Sequence, residues 1–300
     1  MHDKYLFISG MPKCGTTALA AWLVEQRLAD YLIPGMKETQ IYARTDFDAV
    51  VGMIGRGREG VWRLDASPNY AFNTDALTRM PTHFVRMILC FRNPWERVWS
   101  SYKMLKIMYS DMQVLLDVTK QNDSLKSYFE HRDVVRIHYP GRLRHIADKY
   151  FELERERILK GTFLERLRYE LDFFFARGIF PHLSVLGSGR YRFALGNVLE
   201  KYPAEEVFCV SVSRLANTAL RKQFVEQVLD VKDRDTEIIK NQLTLQDQAF
   251  EEPKPDFSGR DFDFLRSSFA YDLKEFAALF PRYGLSSDYI DFEALRRNIE

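Results

Sequence analysis

Tyr5-Leu6-Phe7-Ile8-Ser9-Gly10-Met11-Pro12-Lys13-Cys14-Gly15-Thr16-Thr17-Ala18-Leu19 is the stretch that decides the fold. An apolar run of strand-forming residues enters a turn punctuated by Gly10, Pro12 and Gly15. From Thr16 to Leu23 apolar residues then recur at helical spacing. Strand, glycine loop and helix make an anion cradle. Successive backbone N–H groups and the positive end of the helix dipole converge where phosphate-like oxygens can sit. Gly15 allows the backbone to come close to a ligand, and Thr16 and Thr17 add hydroxyl donors.

The spacing matches the nucleotide loop G-x-x-x-x-G-K-[ST] at Gly10 and Gly15. It departs from it in that Thr16 occupies the lysine position and the lysine comes earlier, at Lys13. A lysine at the loop apex can reach a bridging or terminal oxygen of a 5′-phosphate group.

Working outward, the 300 residues suffice for one large domain or two small ones. Hydrophobic residues at 46% and charged residues at 28% are ordinary for a globular chain. A formal net charge of +1 argues against a general polyanion surface, and so against a nucleic-acid polymer as partner. Cys14, Cys90 and Cys209 lack metal-ligand spacing and read as reduced thiols, and no metal site is expected. No stretch approaches the roughly 20 apolar residues of a membrane helix. Met1 is followed almost at once by the first strand, which leaves no room for a secretory signal and predicts a cytoplasmic enzyme.

After the first helix, Tyr31 to Tyr42 reads as a short strand and a loop, with Pro34 and Gly35 breaking the chain ahead of Lys37 and Glu38. Ligands of open α/β sheets bind outside the carboxyl ends of the strands, so this loop is well placed for chemistry. Taken alone, the Lys37-Glu38 pair is more simply a solvated surface pair. Val61 to Asp65 resembles a strand ending in the turn Ser67-Pro68, and Phe84 to Phe91 a strand buried on both faces. Arg92-Asn93-Pro94 then opens a helix, with Pro94 suited to its first turn. Arg92 at the strand end and Ser100 two turns along are spaced to approach one anion together.

Residues 105–190 read as a mostly helical insertion, a reasonable place for an acceptor pocket. His131, His138, His145 and His182 read as surface or core residues, and Phe173-Phe174-Phe175 as core. A helix beginning at Gly189-Arg190-Tyr191, a strand at Val207 to Val212, an amphipathic helix from Leu215 to Leu229 and a last helix near 261–280 complete the chain. The alternation of strand and helix predicts one α/β domain over residues 1–300: a central, mainly parallel sheet flanked by helices.

With these pieces in order, the chain resembles the sulfotransferases that use 3′-phosphoadenosine 5′-phosphosulfate (PAPS), and within them the carbohydrate, glycosaminoglycan-type branch. Gly10 to Thr17 is similar to the family's 5′-phosphosulfate loop. Arg92 to Tyr102 carries every fixed position of its 3′-phosphate motif R-x-P-x-x-R-x-x-S-x-Y. Lys37-Glu38-Thr39-Gln40-Ile41-Tyr42 resembles the branch's K-E-P-H-F-F segment, and Gly189 to Leu215 its G-x-Y…L…F-P…E-x-L stretch. Three departures stand out: Ser213-Arg214-Leu215 lacks the usual acidic residue, Ala66 replaces a common lysine, and no K-G-R-type loop follows, which leaves Arg260 and Arg266 as candidates to complete the 3′-phosphate grip.

The resemblance implies a P-loop-containing sulfotransferase fold and transfer of a sulfuryl group from PAPS to an acceptor hydroxyl, leaving 3′,5′-adenosine bisphosphate (PAP). It implies that Lys13, Cys14, Gly15, Thr16 and Thr17 hold the 5′-phosphosulfate, with Lys13 neutralising the leaving oxygen. Glu38 is then the base, and Arg92 and Ser100 bind the 3′-phosphate. The acceptor it suggests is a saccharide or glycolipid; a lipid, polyketide or tyrosine hydroxyl would be served by the same base. Two other readings are an ATP-dependent P-loop kinase, with Asp65 as the nearest metal-holding aspartate, and a non-catalytic nucleotide-binding module.

Overall fold

The structure, a computed structural model, describes residues 3–44, 47–54, 57–110, 153, 156–181, 184–232, 234–239, 250 and 252–299. They gather into two compact units. The first comprises Met1–Arg97, Arg190–Gln242 and Pro255–Glu300, and the second Val98–Gly189 and Leu243–Lys254.

The first unit is built on a five-stranded sheet. In chain order come β1 (Tyr5–Ile8), α1 (Thr16–Glu25), β2 (Ala29–Tyr31), α2 (Phe47–Val50), β3 (Trp62–Asp65), α3 (Thr74–Arg79), β4 (Val85–Cys90) and α4 (Pro94–Ser110). After α5 (Phe163–Arg177) of the second unit follow α6 (Tyr191–Leu199), β5 (Val207–Val210), α7 (Thr218–Leu229), α8 (Asp263–Tyr283) and α9 (Phe292–Arg296). The strands lie in the order β2-β3-β1-β4-β5, and every pairing is parallel. The expected α/β architecture with a central parallel sheet flanked by helices is therefore observed.

Composition explains which strands lie deepest. Leu6, Phe7 and Ile8 of β1 and Met87, Ile88 and Leu89 of β4 are all fully buried. Such continuous apolar runs suit strands covered on both faces. Each large side chain so buried stabilises the fold by about 1.5–3 kcal/mol relative to exposure.

The strand order fixes where a ligand can bind. From β1 the chain moves to one side, to β2 and β3; from β4 it moves to the other, to β5. β1 and β4 are hydrogen-bonded neighbours, with Tyr5 opposite Val85 and Ile8 opposite Ile88. Their carboxyl ends form the topological switch point, where connections diverge and leave a crevice.

Several elements differ from the sequence expectation. β2 begins at Ala29, because Ala29, Asp30 and Tyr31 pair with Trp62, Arg63 and Leu64. Arg58 forks onto Asp30 with two bonds of 2.6 Å. The last helix near 261–280 is α8, but α9 follows it and was not anticipated. The triplet Phe173-Phe174-Phe175 is not core: Phe175 is 66% exposed, since three consecutive residues on a helix cannot share one buried face. His131, His138, His145 and His182 lie outside the described residues.

In the second unit, Thr162 and Glu165 form a capping box at the start of α5, and Gly178 ends it in a left-handed turn. Glu170 is fully buried and accepts from Arg166 Nε at 2.7 Å, Val185 N at 2.8 Å and Leu186 N at 2.9 Å. A buried carboxylate so fully met holds α5 to the segment that follows it.

Candidate active site

The loop after β1 is forced by close packing. A Cβ on Gly10 would lie 2.1 Å from the backbone N of Cys90 and 2.5 Å from Leu89 Cα. Only glycine permits the loop to rest directly on the end of β4. Lys13 takes a left-handed conformation, φ 69°, and Gly15 another, φ 89°. A left-handed lysine is uncommon and costs on the order of 1 kcal/mol, and such outliers cluster at functional sites.

Gly15 is the N-cap of α1, without a side-chain cap, and the first turn of α1 carries no acidic residue. The Cys14 N–H closes the turn onto Met11 C=O at 3.2 Å. The N–H groups of Gly15, Thr16 and Thr17 have no main-chain acceptor among the described residues. This is an uncapped helix N-terminus beside a strand end, with the polarity that suits an anion.

Asn93 and Tyr191 position the second loop, at the end of β4. Asn93 Oδ1 caps α4 by accepting from Trp95 N at 3.0 Å and Glu96 N at 3.3 Å. Its Nδ2 donates to the carbonyls of Leu295 and Arg297, at 3.1 and 2.8 Å, and so ties α9 to this corner. Fully buried Tyr191 donates its hydroxyl to Arg92 C=O at 2.5 Å, and the same oxygen lies 3.9 Å from Cys14 Sγ. One phenol thus braces both loops. Its N–H is held by Asp272 Oδ2 at 2.9 Å, and burial pushes that carboxyl up to about 6.

Arg92 is partly exposed and pairs with Glu96 at 3.3 Å. Such a contact is worth about 1 kcal/mol or less and is readily exchanged for a phosphate. Arg97, one turn on, is fully buried, and its charge and that of Arg92 both act on the Cys14 thiol. Burial nevertheless dominates there and pushes Cys14 up to about 11, so it is an inert loop residue. Ser100 is buried, in the part of α4 that belongs to the second unit.

The loop after β2 holds Lys37 and Glu38, and its anchor is Asp65 at the end of β3. Asp65 is fully buried and accepts four hydrogen bonds, two on each oxygen. Thr39 N at 3.3 Å and Ser67 Oγ at 2.6 Å reach Oδ1; Thr39 Oγ1 at 2.5 Å and Tyr70 OH at 2.8 Å reach Oδ2. Burial raises its carboxyl, while the Ser67, Thr39 and Tyr70 donors draw it back down. A carboxylate has about four lone-pair sites, so Asp65 keeps none for a metal ion. Ser67 Oγ in turn accepts Gln40 N at 3.0 Å, and Lys37 C=O accepts Ala66 N at 2.8 Å. The Lys37 ammonium donates to Glu38 Oε1, with the lysine side chain 4% and the glutamate 19% exposed. The pair is thus not a solvated surface pair, because the Asp65 network pulls this loop against the sheet.

Lys13, Cys14 and Gly15 therefore share the loop after β1, Thr16 and Thr17 open α1 directly after it, and Tyr191 braces this turn to the loop of Arg92. Sequence reasoning passed over Asn93 and Tyr191 as site residues, and considered Asp65 only as a metal-holding aspartate rather than as the anchor of the Lys37-Glu38 loop. Asn-Pro before a helix was the legible signal for Asn93 as a cap. Arg266, a candidate for the 3′-phosphate, is engaged by Asp263 at 2.6 Å and Phe257 C=O at 2.6 Å and secures its own turn. Arg260 is exposed. Among the described residues no helix is long and apolar enough to cross a membrane.

Among solved structures the chain is similar to the crystal structure of a sulfotransferase from Alicyclobacillus acidocaldarius, with a TM-score of 0.59 and 18% sequence identity over 99% of this chain and 100% of that one. At that identity the likeness is one of fold. Neither a protein-family model nor a curated protein matches the chain.

Proposed function

We propose that this protein is a sulfotransferase that uses PAPS as sulfuryl donor and a hydroxyl on a carbohydrate or glycoconjugate as acceptor. The observation that carries the reading is the glycine-forced loop of residues 10–17. It rests on the end of β4, directly beside the strand end that bears Arg92, on a fold shared with a solved sulfotransferase. Two anion-binding loops on neighbouring strand ends suit a donor with phosphates at both its 5′ and 3′ positions.

PAPS supplies an activated sulfuryl group whose transfer needs in-line positioning and charge stabilisation on the leaving oxygen. The N–H groups of Gly15, Thr16 and Thr17 would hold the 5′-phosphate, with Cys14 shaping the loop. Lys13 would neutralise the charge that develops on the bridging oxygen. Glu38 would take the proton of the acceptor hydroxyl as it attacks. Arg92, by a charge-assisted pair, and Ser100, by its hydroxyl, would bind the 3′-phosphate that distinguishes this donor from ATP.

The test is transfer of labelled sulfate from PAPS to a panel of acceptors: oligosaccharides, glycolipids, lipid alcohols and tyrosine peptides. Labelling of a saccharide, and its loss in Glu38→Gln, is the expected result. Labelling confined to a lipid or peptide would overturn the acceptor assignment alone. No transfer to any acceptor, with PAP still bound, would favour a non-catalytic binding module.

A further inference from the structure

The parallel sheet has a second edge, opposite the candidate active site. Lys4, Trp62, Phe84, Arg86 and Glu206 stand at the amino ends of β1, β3, β4 and β5. Together with Asp230, which follows α7, they line a cavity of about 360 Å³. Pockets of this size suit a small molecule. With four residues in β1 and six in β4, at about 3.3 Å per residue, the two edges lie about 13–20 Å apart.

Two features of this cavity go beyond what the fold requires. Phe84 takes a left-handed conformation, φ 54°, and its side chain is 53% exposed. A bulky residue there is a strained outlier. Its carbonyl accepts Tyr5 N at 2.8 Å, a main-chain role that glycine would fill without strain. Arg86 is the other feature. Its Nη1 donates to Glu206 and to Val85 C=O, the latter at 3.3 Å. Its Nε is buried without a hydrogen-bond partner among the described residues. Asp230 Oδ2 stands 3.8 Å from Arg86 Nη2 and 4.0 Å from Lys4 Nζ, beyond hydrogen-bond distance of either. Both cations lie over the Trp62 ring, at 5.7 and 5.2 Å, and the indole N–H is fixed by Leu229 C=O at 2.9 Å. The edge of a guanidinium formed by Nε–H and Nη2–H is the fork that grips a carboxylate with two parallel bonds. In Arg86 that fork is unfilled.

We propose that this cavity binds a small aromatic carboxylate, its charged end in the Nε–Nη2 fork of Arg86 beside Lys4 and its ring against Phe84. Asp230, half-exposed on a left-handed residue at the end of α7, gives up its place to the ligand's carboxylate. Arg86 keeps Glu206 through Nη1 throughout. The charges select the class of ligand. Lys4 and Arg86 are already balanced by Glu206 and Asp230, so exchanging one carboxylate for another leaves the balance unchanged. A phosphate dianion would add charge beside Glu206. A neutral aromatic would leave the fork unfilled.

The test is a titration with phenylacetate, followed through the NMR signal of the Trp62 indole N–H, which is assigned by its absence in Trp62→Phe. A saturable shift is expected with a dissociation constant below about 10 mM, the weakest affinity reasonable for a ligand of this size. Acetate, inorganic phosphate and 2-phenylethanol should bind at least about tenfold more weakly, since each lacks the ring, the single charge or any charge. Arg86→Lys, which keeps the charge but not the fork, should lose about tenfold in affinity. Phe84→Gly should lose a similar factor while its melting temperature stays level or rises, because glycine takes this conformation freely. Asp230→Asn removes the competing carboxylate at a position where asparagine is well tolerated, and should bind more tightly than wild type. Lys13→Ala, at the other edge of the sheet, should bind as wild type does.

No saturable shift in the wild type would overturn the proposal, as would an equal response to phosphate or 2-phenylethanol. Phe84→Gly with wild-type affinity and a lowered melting temperature would make Phe84 a packing residue and overturn it too. Affinity lost in Lys13→Ala but kept in Arg86→Lys would place the binding at the opposite edge and contradict it.

Discussion

The loop proposed to hold phosphate, residues 10–17, and the loop proposed to carry the base, residues 37–42, both follow strands of one parallel sheet, yet different forces fix them. The phosphate loop is shaped by its own backbone: a glycine pressed on β4, two left-handed residues, and a helix that starts without a side-chain cap. The base loop is held from outside, by a fully buried carboxylate 26 residues further along the chain. The shape of the first loop is thus set by local conformation, whereas the placement of Glu38 depends on a remote polar network. The two should fail independently.

The largest effect is expected at Gly10. Gly10→Ala drives a Cβ to 2.1 Å from a main-chain nitrogen, where no side chain can yield, and should destabilise the protein by about 3 kcal/mol or more. A urea midpoint close to wild type would show that the loop is not pinned by β4. Next, Lys13→Ala should lower kcat by about 10²-fold or more with little change in stability.

Asp65→Asn then breaks the other half of the comparison. The amide nitrogen cannot accept the hydroxyls that now converge on Asp65, and a lost buried partner costs about 1–3 kcal/mol. The expected outcome is a kcat lowered about tenfold with PAP affinity within twofold, the signature of a displaced base beside an intact cradle. Equal loss of PAP affinity would show the two loops to be coupled.

The smallest effect concerns the brace. Asp272 titrates near 6 in the fold because it is buried, above its ordinary value of 3.8. Its protonated form is therefore favoured by folding, and its stability contribution is complete below the unfolded value and lost as pH rises through about 6. Asp272→Asn, which can still accept the Tyr191 N–H, should gain in melting temperature relative to wild type between pH 4 and pH 7. A constant difference across that range would contradict the assignment.

The same contrast explains what the sequence revealed. The apolar runs of β1 and β4 and the glycine punctuation between Ile8 and Thr16 are local signals, and they announced the sheet and the turn that follows β1. Arg92-Asn93-Pro94 marked the second loop for the same reason: cap and proline act within a few residues. The burial of Lys37 was not legible, because a Lys-Glu pair looks solvated unless one knows that Asp65 gathers Thr39, Ser67 and Tyr70 beneath it. Tyr191 is likewise one aromatic among many until the fold sets its hydroxyl between Cys14 and Arg92. The start of β2 was shifted because an edge strand of three residues takes its limits from its partner β3. α9 escaped notice because five residues carry too little periodicity to register.

The central claim is that the loop of residues 10–17 and the loop of Arg92 form a site for a nucleotide with phosphates at both the 5′ and 3′ positions. Calorimetric titration with 3′,5′-adenosine bisphosphate, and separately with ATP and magnesium, tests it most directly. The account predicts saturable one-to-one binding of the bisphosphate, weakened in Arg92→Ala, and no comparable binding of ATP. Binding of ATP with magnesium, and none of the bisphosphate, would contradict it and point to a kinase built on the same loop.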